Sequence, residues 1–194
     1  MTDMKVSREQ AAANRERILD VASGLFRERG FDGIGVADLM KHAGLTHGGF
    51  YGHFSSKEDL MAQACDRALS ESVAKWKRRC ARSDTEPLSA IAKAYLSTAN
   101  RDDPGAGCTV AALGAEVSRH GSKVRRSITG GVRSLVEILA RIVPGKSRVA
   151  KRRIALATFA SMVGALVLAR AVDDPELSEE ILDAAYGSIQ RLAS

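Results

Sequence analysis

Apolar side chains recur every three to four residues from Ala11 to Leu192, and nowhere do they alternate with polar ones as a half-buried strand requires. Ile18, Leu19, Ala22, Leu25 and Phe26 open the pattern, and Ile181, Leu182, Ala185, Ile189 and Leu192 close it. This spacing puts one apolar stripe on each helical cylinder. The chain is therefore expected to be all-α, with about nine helices. Its 45% hydrophobic and 27% charged residues are those of an ordinary globular protein, which excludes wholesale disorder and a multi-span membrane protein. The longest apolar run, Ile154 to Ala169, is bounded by Lys151-Arg152-Arg153 and Arg170. It falls short of the roughly 20 residues of a span, so a helix buried in protein is expected and no membrane partner.

Cys65, Cys80 and Cys108 form no CxxC pair and have no histidine at zinc-ligand spacing. No metal, cofactor or disulfide scaffold is expected, and reduced thiols fit a cytoplasmic location. Met1 to Lys5 leads into the polar stretch Arg8–Arg17 rather than an apolar core and cleavage site, which argues against a signal peptide.

Charge is unevenly placed along the chain. The formal total is +6, yet residues 1–60 hold eight Lys/Arg against nine Asp/Glu, a net of −1. Arg119 to Arg153 holds eleven Lys/Arg against Glu137 alone, a net of +10. Bulk charge thus does not mark the N-terminal region as a nucleic-acid surface, and local geometry has to do so.

Glycine punctuates the first third. A helix from Ala11 to Arg29 stops at Gly30, a short one from Val36 to Ala43 stops at Gly44, and Thr46 is placed to cap a third, reaching about His53. Ser56-Lys57-Glu58-Asp59 has the form of a capping box, opening a long helix toward Arg82. Ser83 to Pro87 breaks that helix. Leu88 to about Asn100 is expected as one helix and Arg101 to Gly107 as a loop. Helices over Cys108–Arg119, Lys123–Ile142, Val149–Val172 and Glu176–Leu192 complete the chain.

A scaffolding helix, a tight glycine turn and a second short helix are the parts of a helix-turn-helix, whose second helix projects its front into a DNA major groove. Asp38 to Tyr51 supplies all three. Phe50 and Phe54 can lock the second helix onto Ile18, Leu25 and Leu39. Thr46, His47, Gly48, Tyr51, Gly52 and His53 are left on the other face. Gly48 and Gly49 cost about 1 kcal/mol each against Ala in a helix. Close backbone approach to DNA and close crossing of a neighbouring helix are equal explanations for them.

The sequence resembles the Tet repressor (TetR/AcrR) family of transcriptional regulators. The likeness lies in Ile18-Leu19-Asp20-Val21-Ala22, Leu25-Phe26, Gly30-Phe31, Val36-Ala37-Asp38-Leu39 and Ala43-Gly44-Leu45. It continues through Gly49-Phe50-Tyr51-Gly52-His53-Phe54-Ser55-Ser56-Lys57-Glu58-Asp59-Leu60. It implies a three-helix DNA-binding domain over residues 1–60 and a helical effector-binding and dimerisation domain over 61–194. It also implies that Thr46, His47, Gly48 and Tyr51 meet base edges or the nearby backbone, while Tyr51, His53 and Lys57 hold phosphates. Gly35 departs from the Ser or Thr often found at that cap. Outside this motif, Tyr51 and His53 would read as aromatics packed at a helix junction.

The remaining two-thirds carries no such motif. By the resemblance, its last two long helices pair with those of a second copy as a four-helix bundle, with Phe159, Met162, Val163, Leu166, Ile181, Ala185 and Ile189 as interface residues. A monomer core is the alternative. Cys108 falls at a helix start, where the dipole favours a thiolate, so a redox or electrophile sensor stands beside the plainer reading of a small buried hydrophobe. Glu116 and Arg119 are placed to line a pocket near it. Arg119, Lys123, Arg125, Arg126 and Arg133 could attract an acidic ligand or simply form solvated faces.

The expected function is a ligand-responsive repressor, a homodimer on a pseudo-palindromic double-stranded operator, released by a small-molecule effector. The competing class, an all-helical enzyme, has no carboxylate pair, GxSxG, P-loop or HExxH to support it.

Overall fold

The computed structural model describes residues 8–82 and 86–193; Met1 to Lys5, and the first three residues of the break expected over Ser83 to Pro87, lie outside them. The described residues form nine α-helices and one 3-10 helix, with no strand among them. The order is α1 (Arg8–Arg29), α2 (Val36–His42), η1 (His47–Gly52), α3 (Lys57–Arg82), α4 (Pro87–Tyr95), α5 (Thr98–Asp102), α6 (Thr109–Val117), α7 (Ser122–Ile142), α8 (Arg148–Ala171) and α9 (Pro175–Ala193).

Two stop signals work as their residues dictate. Gly30 takes φ +75° and returns its N–H to Phe26 O at 2.9 Å, ending α1 and turning Phe31 back against Phe26, ring centroids 5.3 Å apart. Gly44 takes φ +67°, its N–H bonds Lys41 O and the next N–H, from Leu45, bonds Met40 O. Those paired bonds are a Schellman motif, which satisfies the last carbonyls of α2.

Two expectations are corrected. The helix expected over Leu88 to Asn100 is broken after Tyr95. Ser97 Oγ donates to Ala94 O and accepts from Asn100 N–H, starting α5 and drawing Arg101 and Asp102 out of the expected loop into a helix. The segment after Thr46 forms a 3-10 helix in which Gly49 N–H reaches Thr46 O at 3.1 Å. With glycine at three of its six positions, it lacks the propensity to sustain an α-helix.

Apolar side chains gather into two clusters. One holds Ile18, Ala22, Phe26, Phe31, Leu39, Phe50 and Phe54, and includes Leu60, Met61 and Cys65 of α3. The other holds Leu69 and Trp76 of α3 with residues of α4, α7, α8 and α9. The boundary expected between residues 60 and 61 thus falls in the first turn of α3, whose N-terminal turns serve the first cluster and whose later turns serve the second.

Candidate nucleic-acid interface and the cleft behind it

The two short helices are held from beneath. Phe50, Leu39, Met40 and Phe31 are fully buried, and Phe50 stacks on Phe54 at 5.7 Å while Arg15 lies over the Phe54 ring at 5.2 Å. Arg67 of α3 binds Glu16 and Asp20 of α1 at 2.5 and 2.6 Å, and Arg15 bonds Gln63, so α1 is fixed along α3. Above this base Thr46, His47, Gly48 and Tyr51 are exposed, and Tyr51 keeps 70% of its surface. His53 and Lys57 are half-buried, and Lys57 is the first residue of α3.

Local hydrogen bonds decide which groups stay free. The capping box forms at α3, where Asp59 N–H reaches Ser56 Oγ at 3.0 Å. The return bond runs to Ser55 N–H at 3.2 Å rather than to Ser56, and that backbone donor holds the Asp59 carboxyl below its ordinary range. Thr46 caps η1 through its backbone only, and Gly35 gives α2 no side-chain cap. A Cβ at Gly48 or Gly52 would meet no atom within 4 Å, and one at Gly49 would make ordinary contacts. Close helix crossing therefore does not explain these glycines.

The near-neutral charge of residues 1–60 is also resolved by placement. Glu16 and Asp20 are paired with Arg67, Glu28 lies against Gly105, and Glu58 lies against Gly121. These four carboxylates thus lie against other parts of the protein while remaining partly solvated. Arg17, exposed on α1, places a guanidinium nitrogen 4.0 Å from where a Gly44 side chain would begin, adding a cation beside the turn. The sequence pattern did not single out Arg17, because its proximity to the turn depends on how α1 crosses α2.

One helix joins this surface to the interior. Glu116 near the end of α6 accepts Phe31 N–H at 2.8 Å, and Phe31 also meets the His120 ring at 4.9 Å. Glu116 thus grips the chain at the foot of the helix-turn-helix, and it does not line a pocket with Cys108 and Arg119 as expected. At the other end of α6, Cys108 is its N-cap residue and is buried. Cys108 borders a cleft of about 340 Å³ whose walls include Lys75, Trp76 and Arg79 of α3, Tyr95 of α4 and Leu135 of α7. Arg170 of α8 braces α5 beside it, donating to Arg101 O and Asn100 O at 3.0 and 2.6 Å. Burial lowers the pKa of this guanidinium. Arg119, Lys123, Arg125, Arg126 and Arg133 are exposed and stand away from the cleft walls.

Residues 18–64 match the family described as bacterial regulatory proteins, tetR family. The match makes the helix-turn-helix region one of that family's type. The HTH-type transcriptional regulator AcrR of Shigella flexneri is 38% identical over 66 residues, which are 34% of this chain and 30% of that protein. The HTH-type regulator SAB2452 of Staphylococcus aureus is 34% identical over 71 residues, 37% of this chain and 38% of the relative. The chain thus spans about a third of the length of these curated relatives. The TetR fold itself extends further. A TetR-family regulator from Agrobacterium tumefaciens superposes with TM-score 0.79 at 20% identity, covering 95% of this chain and all of that one. The reduced form of Escherichia coli NemR superposes with TM-score 0.78 at 23% identity, over 93% and 96% of the two chains.

Within this TetR fold four of the residues expected at a dimer interface need correction. Phe159, Met162, Leu166 and Ile189 are buried in the second cluster of a single chain, and Val163, Ile181 and Ala185 pack partly against it. The pattern of α8 is apolar on nearly all sides, so spacing alone could not say which side the monomer claims. The uncovered side carries Leu156, Val167 and Leu168 on α8, with Leu177 and Leu192 exposed on α9. α8 is long and apolar enough to cross a membrane by length and composition, and its packing against α7 and α9 accounts for the inner side.

Proposed function

We propose that the chain is a cytoplasmic transcriptional repressor that binds a pseudo-palindromic double-stranded operator as a homodimer and is released by a small-molecule effector. The observation that carries the reading is η1 itself. A six-residue helix is pinned by fully buried Phe50 while Thr46, His47 and Tyr51 stand uncovered beside it. Exposed hydroxyl and imidazole groups at a helix front suit base edges, and Tyr51, His53 and Lys57 suit phosphates that set register. The bare backbone at Gly48 and Gly52 allows a duplex to approach closely.

Two reading heads must stand about 34–36 Å apart, or a multiple of that, to enter major grooves on one side of a duplex. The exposed leucines of α8 and α9 support pairing of two copies, since large apolar side chains left uncovered on two neighbouring helices gain from cover by a symmetry mate. The effector site is the cleft at Cys108. A ligand there that favours a shifted α6 moves the Glu116 grip on Phe31 and so changes the spacing of the heads, and its differential affinity for the two states sets the extent of release.

Selection of fragments from genomic DNA, followed by a salt-dependent gel-shift titration of wild type and Tyr51→Ala, tests the reading. Sequence-selective retention that weakens with salt and is lost in Tyr51→Ala is expected. Equal retention of random and selected fragments overturns it. The placement of Cys108 in the cleft supports a second route to release, through an electrophile or oxidant acting on its thiol; an unchanged response of Cys108→Ser to such a reagent refutes that route.

A further inference from the structure

The polar groups of the Cys108 cleft separate into those already satisfied and those left over. Ser72 Oγ donates to Ala68 O, Ser97 Oγ is used at the start of α5, and Asn100 Nδ2 donates to Tyr95 O at 2.6 Å. Asp103 Oδ1 accepts Ala106 N–H at 3.0 Å, so one oxygen of the carboxylate among the lining residues is committed to its own loop. Three groups remain. Tyr95 is 6% exposed, and its hydroxyl, beside the weakly bonding Cys108 thiol, has no nitrogen or oxygen partner among the described residues. Lys75 and Arg79, one turn apart on α3 and both exposed, make no ion pair among the described residues.

What remains is mainly donors and positive charge, two cations against the single Asp103 carboxylate. A buried hydroxyl without a partner is costly, and it persists where something absent from the chain supplies one. Burial, with Cys108 beside it, holds the Tyr95 phenol well above its ordinary pKa, so it keeps its proton and can donate. The rest of the wall is apolar. Trp76 meets Tyr95 and Phe159 edge-to-face at 6.1 and 6.0 Å, with Ile91 and Leu135 alongside. The cleft volume, about 340 Å³, lies at the small end of the range for organic ligands.

We infer that the effector is a small aromatic carboxylate, its ring extending the Trp76–Tyr95 aromatic pair, its carboxylate held between Lys75 and Arg79, and an oxygen of the ligand accepting the Tyr95 hydroxyl. This rests on the regulatory reading above and names the ligand class of the same cleft. A cationic ligand would meet two like charges against one carboxylate, Asp103, one oxygen of which already accepts Ala106 N–H. A neutral aromatic would leave the lysine and arginine without a counter-charge.

The probes are benzoate, 2-naphthoate and 4-phenylbenzoate, with benzamide as the neutral and benzylamine as the cationic comparator, titrated calorimetrically into the full chain. Trp76 is the only tryptophan, so its emission, read with benzoate, reports occupancy of the cleft directly. Saturable binding is expected for at least one carboxylate. Lys75→Ala/Arg79→Ala should weaken it roughly tenfold or more, and Tyr95→Phe about threefold to tenfold. Because Lys75 and Arg79 are exposed, that double variant folds whether or not Tyr95→Phe does. Binding of none of the three carboxylates, tighter binding of benzylamine, or full affinity in the double variant each overturns the inference. Retention of selected DNA in the same samples separates this failure from failure of the regulator itself.

Discussion

Phe50→Ala asks how a glycine-rich segment is held rigid enough to read anything. Three glycines in η1 each disfavour a helical conformation by about 0.8–1 kcal/mol against alanine, so its backbone starts at a disadvantage of about 2.5–3 kcal/mol. Phe50 is its one buried side chain, stacked on Phe54 and edge-on to Tyr51 at 5.2 Å. Truncating a buried phenylalanine costs about 3–5 kcal/mol, as much as or more than the backbone disadvantage it offsets. Phe26, Phe31, Leu39 and Leu60 remain packed without it, so the loss should appear as opening of residues 46–53 rather than collapse of the first cluster. Hydrogen exchange read by mass spectrometry on peptides from residues 46–53 and from α1 distinguishes the two. Exchange in the first peptide should rise roughly 100-fold while α1 stays protected, and operator retention should vanish. Unchanged exchange over residues 46–53 would show that the segment is held by something other than this ring.

Gly48→Ala meets no neighbour within 4 Å, so urea unfolding should show equal or slightly higher stability, by up to about 1 kcal/mol. Gel-shift affinity should fall, and full affinity would remove the close-approach role. Leu168→Glu, on the uncovered side of α8, should give folded monomers in light scattering, whereas Leu166→Glu places a charge at a fully buried site and should unfold the chain; dimers of Leu168→Glu would exclude that face. Glu116→Ala removes a charge-assisted bond to a backbone N–H and should lower stability by about 1.5–3 kcal/mol; DNA release by a bound ligand that persists undiminished would reject the α6 link. Burial pushes the Cys65 thiol up to about 12, so Cys80 should alkylate before it in the native state. Because the unfolded thiol ionises near 8.5 and the folded one does not, that site costs stability as pH rises from about 9 toward 12. Alkylation of Cys65 first would contradict its burial.

The parts of the molecule that were legible in the sequence are those where one local rule had no competitor. Gly30 and Gly44 ended helices because the left-handed turn each makes is easy only for glycine, and Ser56 with Asp59 closed a cap within four residues. The break after Tyr95 was missed because Leu88 to Asn100 keeps its helical period, while the interruption depends on Ser97 choosing backbone partners over the helix. The sidedness of α8 was unreadable for the opposite reason: with apolar residues around most of its circumference, periodicity selects no face, and only α7 and α9 decide that Leu166 is inside and Leu168 outside.

The cleft shows most clearly why a site can be assembled from residues that no spacing rule connects. Its walls come from α3, α4, the loop at Asp103–Cys108 and α7, with at most one or two side chains from each carrying the polarity. No spacing in the sequence singles out Lys75, Arg79 or Tyr95; the two cations are exposed and the tyrosine is buried. What singles them out is negative and three-dimensional: every other polar side chain named on that wall has found a partner, and these have not. A helix-turn-helix can be recognised from order along the chain because its geometry is local. A ligand pocket between packed helices is defined by which groups packing leaves unsatisfied, and that is known only once the packing is known.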